Sequence, residues 1–294
     1  VNKAAKEDWL LDDLLEDEPL HVALARVPNV KLIAFDLDGT LLTSDKRITE
    51  RAEKVIKALA HAGIIMIPCT GRPPRNTKAF VEQLGLKSAF VFNGAGVYNR
   101  STDSTIYRHC LDKQTALQII KQMREAIPGV IAGLETSEGW FLDTDYYEWR
   151  KTQPYLANQE PTGVGDICEF VDDTTVKIYF RKTGFTARAM SLALTGIDTY
   201  FTWSSEGLLE VMAHGVNKRE AITHLATNLG ISWQEVIAFG DEHNDQGMLM
   251  WAGLGVAMAN AKIEAEEAAD YTTKSNDEDG VAVVLEAVLA RLEQ

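Results

Sequence analysis

The sequence predicts an α/β protein: an open, mainly parallel sheet with helices on both faces, interrupted by an inserted α+β domain. Two patterns carry that expectation. Strand-length apolar runs alternate with amphipathic helical stretches near both ends of the chain. The middle third holds alternating strand patterns broken by Gly and Pro. The chain has 294 residues, 46% of them hydrophobic and 24% charged, ample for a packed core and long enough for about two domains.

Residues 1–28 form an acidic N-terminal extension. The first twenty carry seven acids against two lysines, with Trp9, Leu10, Leu11, Leu14 and Leu15 spaced as one apolar helix face. Two readings stand: an arm packed on its own domain, or a helix that docks a protein partner or a second copy. The chain opens at Val1, read as a processed or truncated terminus, and its first residues lack the apolar stretch of a signal peptide.

From Val30 to Phe35 a buried strand is expected, followed by a helix from Ile48 to Ala62 with Thr49 as its cap, stopped by Gly63. Ile64–Pro68 predicts a second buried strand, 75–84 a helix and Ala89–Phe92 a third strand. This β-α-β-α-β order implies parallel strands with right-handed crossovers. The alternation resumes with a helix at 218–229, a strand at 236–239, a helix at 244–252, a strand at 254–257 and a last helix at 281–292. Between them, Asp112–Ile127 reads as a helix, and Thr174–Phe180 and Ile197–Trp203 as strands.

The net charge is −14, which argues against nucleic-acid binding, and an anionic ligand would need positive charge gathered at one place. No apolar run reaches the length of a membrane span. Three scattered cysteines, Cys69, Cys110 and Cys168, form no metal-binding pair and suit a reducing cytoplasm.

The strongest local signal is Phe35-Asp-Leu-Asp-Gly-Thr-Leu-Leu42. Asp36 and Asp38 flank one residue at the carboxyl end of a buried strand, where open α/β sheets place their ligands. Two such carboxylates repel, and a divalent cation offsets the repulsion; hard oxygen donors favour Mg²⁺. Asp36 has the chemistry of a nucleophile toward phosphorus, and Asp38 that of the acid that protonates the leaving oxygen and later deprotonates water. The latter role needs a carboxyl pKa near the working pH. The plain alternative is an Asp-x-Asp-Gly turn with solvated acids.

Asp36-Leu-Asp-Gly-Thr-Leu-Leu resembles the first motif of the haloacid dehalogenase superfamily of phosphatases and phosphotransferases. Cys69-Thr70-Gly71-Arg72 resembles the second motif, Gly215-Val-Asn-Lys218-Arg-Glu-Ala the third, and Phe239-Gly-Asp241-Glu-His-Asn244-Asp245 the fourth. Gly255-Val-Ala-Met-Ala-Asn-Ala and Ser275-Asn-Asp-Glu-Asp-Gly-Val resemble tail segments of its Cof-type subfamily. The resemblance spans roughly 29–95 and 205–294. It departs at Asn217-Lys218-Arg219, where Ser-Lys-Gly is more usual, and at Cys69, where many relatives carry a smaller residue. It implies a Rossmann-like parallel-sheet core over 29–98 and 202–294. Phosphate would be bound by the Leu37 N–H, Thr70, Gly71, Lys218 and Asn244, and Mg²⁺ by Asp36, Asp38 and Asp241. Asp245 and Arg72 would support the site, with Asp245 orienting Lys218 or a metal-bound water. His243 reads as an exposed loop histidine or as a contact to the leaving group.

Only 34 residues separate Asp36 from Thr70, already filled by a helix and a strand, whereas 148 separate Thr70 from Lys218. An insertion in the second interval resembles the superfamily's second cap class, an α/β cap placed here at 99–201, with Asn93-Gly94-Ala95 leading into it. Trp140, Tyr146, Tyr147, Glu148, Trp149, Arg150 and Lys177 are candidates for reading the substrate or for packing the cap's own core. Arg72 and Arg75 either hold a second anionic group or pair with acids elsewhere. The resemblance implies a Mg²⁺-dependent phosphatase acting on sugar phosphates or flavin- or pyridoxal-type cofactor phosphates through an aspartyl-phosphate. Rival readings are a phosphomutase on sugar phosphates and a non-catalytic phospho-ligand-binding subunit.

Overall fold

The structure is a computed structural model and describes residues 19–153, 159–203 and 207–293. The apolar stretch Trp9–Leu15 lies outside them. The rest of the N-terminal extension is tied down: helix α1 (Leu20–Ala25) buries Ala23 and Leu24, Val27 follows them into the core, and Arg291 donates to the Leu24 carbonyl at 2.6 Å. Leu24 and Val27 seat this turn because they repeat at helical spacing.

Strand β1 (Leu32–Phe35) is buried throughout, as its unbroken apolar run requires for the centre of a parallel sheet. Helix α2 (Glu50–His61) starts at Thr49, whose Oγ1 accepts from the Ala52 N–H at 3.1 Å, and buries Ala52, Val55, Ile56 and Leu59. Strand β2 (Ile65–Pro68) pairs parallel with β1. The expected helix at 75–84 is divided: Pro73 and Pro74 open a 3₁₀ turn at Pro74–Asn76, and helix α3 covers only Lys78–Gln83. Strands β3 (Ser88–Val91), β4 (Gly96–Asn99) and β5 (Ser104–Tyr107) form an antiparallel meander, joined to the end of β2 by a bridge between Cys69 and Phe90.

The inserted region begins with helix α4 (Lys113–Ala126), capped by Asp112. Strands β6 (Ile131–Thr136) and β7 (Trp140–Asp143), helix α5 (Thr144–Lys151), strands β8 (Gly163–Gly165) and β9 (Thr175–Arg181), helix α6 (Ala187–Ser191) and strands β10 (Thr199–Thr202) and β11 (Leu208–Ala213) follow. These strands form a second sheet in the order β10-β11-β9-β6-β7-β8. Its alternation sorts residues cleanly. Ala132, Leu134, Ile178, Phe180, Leu209 and Val211 pack with the buried face of α4, while Glu135, Trp140, Lys177, Tyr179 and Glu210 share the opposite face.

The chain then returns to the first sheet through helix α7 (Lys218–Asn228), strand β12 (Val236–Gly240), helix α8 (Gln246–Trp251), strand β13 (Leu254–Ala257), helix α9 (Ile263–Glu266), strand β14 (Tyr271–Thr272) and helix α10 (Gly280–Leu292). The order β14-β13-β12-β1-β2 is parallel throughout. Helices α2 and α10 cover one face and α7 and α8 the other. This is an α/β core with an inserted α+β body. Pairing shifts the margins from 99–201. β5 bonds to the core-side meander, and β11, sequence-assigned to the core, completes the second sheet. We propose margins near 109 and 214, which strand pairing between distant segments sets and local pattern does not reveal.

Candidate active site

Asp36 leaves β1 at the carboxyl edge of the parallel sheet, its N–H donating to the Phe239 carbonyl at 3.1 Å. The chain must turn at once to clear the sheet. Gly39 makes that turn with φ +78°, and a Cβ there would overlap the Asp241 carboxylate. The Leu42 N–H closes the loop on the Leu37 carbonyl at 2.8 Å, and the Leu37 side chain is fully buried. Pairing of Phe35 with both Pro68 and Phe239 carries Thr70–Gly71 and Asp241 to the same edge.

Lys218 is the first residue of α7, after Asn217, whose side chain accepts the Glu220 N–H. Its Nζ lies 2.7 Å from Asp36 Oδ1 and 2.6 Å from Asp245 Oδ1, with no part of the side chain exposed. Burial opposes its charge, but Asp245 and Asp36 overcome this and hold the ammonium above its ordinary range. Asp245 is spent on structure: its other oxygen accepts the N–H groups of Asp241 (2.9 Å) and Glu242 (3.0 Å). Asp241 Oδ1 accepts from Thr40 at 2.7 Å.

Asp36, Asp241 and Asp245 form a buried acidic group whose ligand oxygens lie within 4.8 Å of one another. One lysine does not balance three acids. Desolvation, with the charges of Asp245 and Asp38 set against that of Lys218, raises the Asp36 carboxyl to about 7. Desolvation and the charges of Asp245 and Asp36 raise Asp241 to about 8. Such a group fits a divalent cation: its donors are hard oxygens and its excess charge is negative.

Asp38 is placed differently from the sequence expectation. It lies outside this group, and its side chain is 36% exposed. Arg72 grips it with Nε and Nη2, and Lys46 Nζ lies at 2.8 Å. Burial would raise its pKa, but the Arg72 and Lys46 hydrogen bonds and charges win and pull it to about 2. The acid that accompanies Asp36 and Asp241 is therefore Asp245, and Asp38 carries no proton in this arrangement. Lys46, at φ +60° in the loop after the first motif, has no motif to announce it.

Thr70 is buried, and its Oγ1 accepts the Arg72 N–H at 3.2 Å. Asn244 donates to Asn93 Oδ1 at 3.0 Å and leaves its own buried Oδ1 unpartnered. Asn93, fully buried at φ +55°, donates to Glu210 at 3.0 Å. Glu210 pairs at 2.7 Å with Lys177, which also reaches the Gly71 carbonyl at 3.1 Å. A continuous polar chain thus runs from the fourth motif across the insertion to the second. Of its links, Asn93 lies in the segment expected to form the entry to the insertion, whereas Glu210 escaped sequence reasoning. Asn93-Gly94 at a strand end is a pair suited to the positive φ found there. Arg75 pairs with Glu135 through both nitrogens (2.8 and 2.6 Å), so both arginines of the second motif loop bind acids. His243 is half-buried, stacked on Trp203 at 3.9 Å, rather than an exposed loop residue. Arg219 is exposed.

A family model described as haloacid dehalogenase-like hydrolase matches residues 33–285. The chain is 32% identical over 260 residues to the 5-amino-6-(5-phospho-D-ribitylamino)uracil phosphatase YitU of Bacillus subtilis, covering 85% of this chain and 94% of that protein. It is 30% identical over 257 residues to YcsE of the same organism, a phosphatase with the same named substrate, covering 86% and 94%. A solved haloacid dehalogenase-like hydrolase from B. subtilis has a TM-score of 0.77 at 25% identity, spanning 87% of this chain and 99% of its own. With the parallel sheet and its buried acids and lysine, these matches assign the chain to the haloacid dehalogenase-like hydrolases, as a phosphoric monoester hydrolase.

Proposed function

We propose that the protein hydrolyses small phosphate monoesters in two in-line steps at Asp36, with Mg²⁺ as its cation. The observation that carries this reading is the buried Lys218 ammonium, which holds Asp36 Oδ1 beside Asp245 at the open edge of the sheet. The free Asp36 oxygen attacks phosphorus, the bond to the leaving oxygen breaks, and Asp38 supplies the proton that oxygen takes. Asp38 then removes a proton from water, water attacks the aspartyl-phosphate, and Asp36 is released with phosphate. For both roles Asp38 must leave the Arg72 grip and turn toward the substrate. Lys218, the Thr70 hydroxyl, the Gly71 and Leu37 N–H groups and the Asn244 amide hold phosphate oxygens, whose charge is the main burden of such a transfer.

Mg²⁺ fits Asp36 and Asp241, with Asp245 behind them and Asp38 contributing no side-chain oxygen as placed. Bound there, it supplies the positive charge that Lys218 alone does not. The leaving group is the alcohol of a sugar, a polyol or a cofactor such as a flavin or pyridoxal type. The ribityl phosphate named for the two relatives belongs to that class.

The test is Asp36→Asn with p-nitrophenyl phosphate. Turnover is expected to fall at least roughly 10³-fold with the fold retained, and EDTA is expected to abolish wild-type activity until Mg²⁺ is restored. Unchanged hydrolysis by the variant rejects Asp36 as the nucleophile.

A further inference from the structure

Between the core and the second sheet lies a charged layer that the phosphate chemistry does not use. Two of its cations are neutralised, Arg75 by Glu135 and Lys177 by Glu210. The third is not. Arg150, on α5, is only 2% exposed, and no acid pairs with it among the described residues. Its Nε and Nη2 are both buried without a hydrogen-bond partner. Those two nitrogens form the side-on edge of the guanidinium, the fork that takes two oxygens of one carboxylate or phosphate. A guanidinium stays charged in proteins, and a buried charge with an unfilled fork is costly unless an anion completes it.

An aromatic ring seats the guanidinium. Arg150 Cζ lies 5.0 Å from the centroid of the Trp140 ring, and Arg75 Cζ lies 4.8 Å from the same centroid. Trp140 Nε1 donates to the Tyr179 hydroxyl, which fixes the indole plane. In register, Trp140 is opposite Glu135, and Glu135 is opposite Lys177, whose Nζ touches the Gly71 carbonyl. Each cross-strand step is about 5 Å. Trp140, on which the Arg150 guanidinium lies, is therefore two such steps, roughly 10 Å, from the lysine that touches the second motif, a span comparable to a phosphorylated sugar.

We propose that Arg150, set by Trp140, is an anion-binding subsite that recognises a second phosphate or a carboxylate on the leaving group. The preferred substrates are then doubly anionic esters: sugar bisphosphates or phosphorylated sugar acids. This rests on the phosphatase reading above. The fork is sealed in this arrangement, so a ligand reaches it as the insertion parts from the core.

The test compares matched pairs: fructose 1,6-bisphosphate against fructose 6-phosphate, and 6-phosphogluconate against glucose 6-phosphate. Wild-type kcat/KM is expected to favour the doubly anionic member of at least one pair about tenfold. The responding pair tells phosphate from carboxylate. In Arg150→Met the ratio is expected to fall toward one, and Arg150→Lys, which keeps the charge but loses the fork, is expected to retain only part of it. If the Met variant does not fold, the Lys variant carries the comparison. A ratio near one in the wild type, or a ratio unchanged by substitution while both members slow alike, overturns the subsite and leaves Arg150 as packing. If the wild type hydrolyses none of the four, turnover of p-nitrophenyl phosphate tells failure of the phosphatase reading from a different leaving group. Calorimetric affinities of the same pairs with Mg²⁺ then decide the subsite separately, and equal affinities within each pair reject it.

Discussion

At the scale of single residues, Asp38 is the group whose setting differs most from the duty proposed for it. Arg72 and Lys46 hold its pKa at about 2, well below the neutral range in which an acid hands over protons. The grip keeps Asp38 ionised. Arg72→Met removes the strongest downward pull, so the carboxyl of Asp38 is expected to rise toward its ordinary value of about 4. As the proposed donor of the first step Asp38 must carry a proton, so the alkaline limb of kcat/KM against pH is expected to move upward in the variant; a limb that stays at the wild-type position shows that Arg72 does not set it. Lys218 has the converse setting, an ammonium kept charged in full burial by two acids.

Among the structural elements, the tight loop after β1 and the cap of α2 are read out by different assays. Gly39→Ala places a Cβ against the Asp241 carboxylate at a positive φ. The carboxylate must shift, and misplacement of about 1 Å is expected to lower turnover roughly 10²-fold while circular dichroism reports an intact fold. Thr49 lies away from the chemistry. Its Oγ1 accepts the Ala52 N–H and its hydroxyl donates to Asp279 at 2.5 Å, which joins α2 to the start of α10. Thr49→Ala is expected to cost about 1 kcal/mol, read as a melting temperature lower by about 2–4 °C with unchanged kcat. Equal melting curves would show the cap to be idle.

Over the whole molecule, the net charge of −14 does not resolve as the sequence suggests, with positive charge gathered at the anion site. The centre is itself acidic, three buried carboxylates against one lysine. The missing positive charge is the natural place of a divalent cation. Asp36 and Asp241 titrate near 7 and 8 in the metal-free protein, above the ordinary carboxyl value of 3.8. Between those limits the folded state binds more protons than the unfolded one, so its stability falls as pH rises from about 4 to about 8. Cation binding needs both groups ionised and releases their protons. Saturating Mg²⁺ is therefore expected to raise the melting temperature more at pH 8 than at pH 5. An equal shift at both values would remove these two acids from the cation site.

Much of the core and its chemistry was legible in the chain. Unbroken apolar runs ending in Asp36, Thr70 and Asp241 mark parallel strands and the edge where they deliver side chains, because a strand buried on both faces admits no polar residue until it ends. Thr49 and Asp112 announce their helices because a cap bonds only within its own first turn. The contacts made by residues far apart in the chain stayed hidden: Arg72 with Asp38 inside the core, and Asn93 with Glu210, Lys177 with Gly71 and Arg75 with Glu135 between core and insertion. So did the place of β11 in the second sheet, and the exchange of Asp38 for Asp245 beside Asp36. The sequence by itself determined which groups reach the edge of the sheet. Tertiary structure alone decided which charges neutralise one another and which, like Arg150, find no acid among the described residues, because ion pairing depends on distances of a few ångströms between segments far apart in the chain.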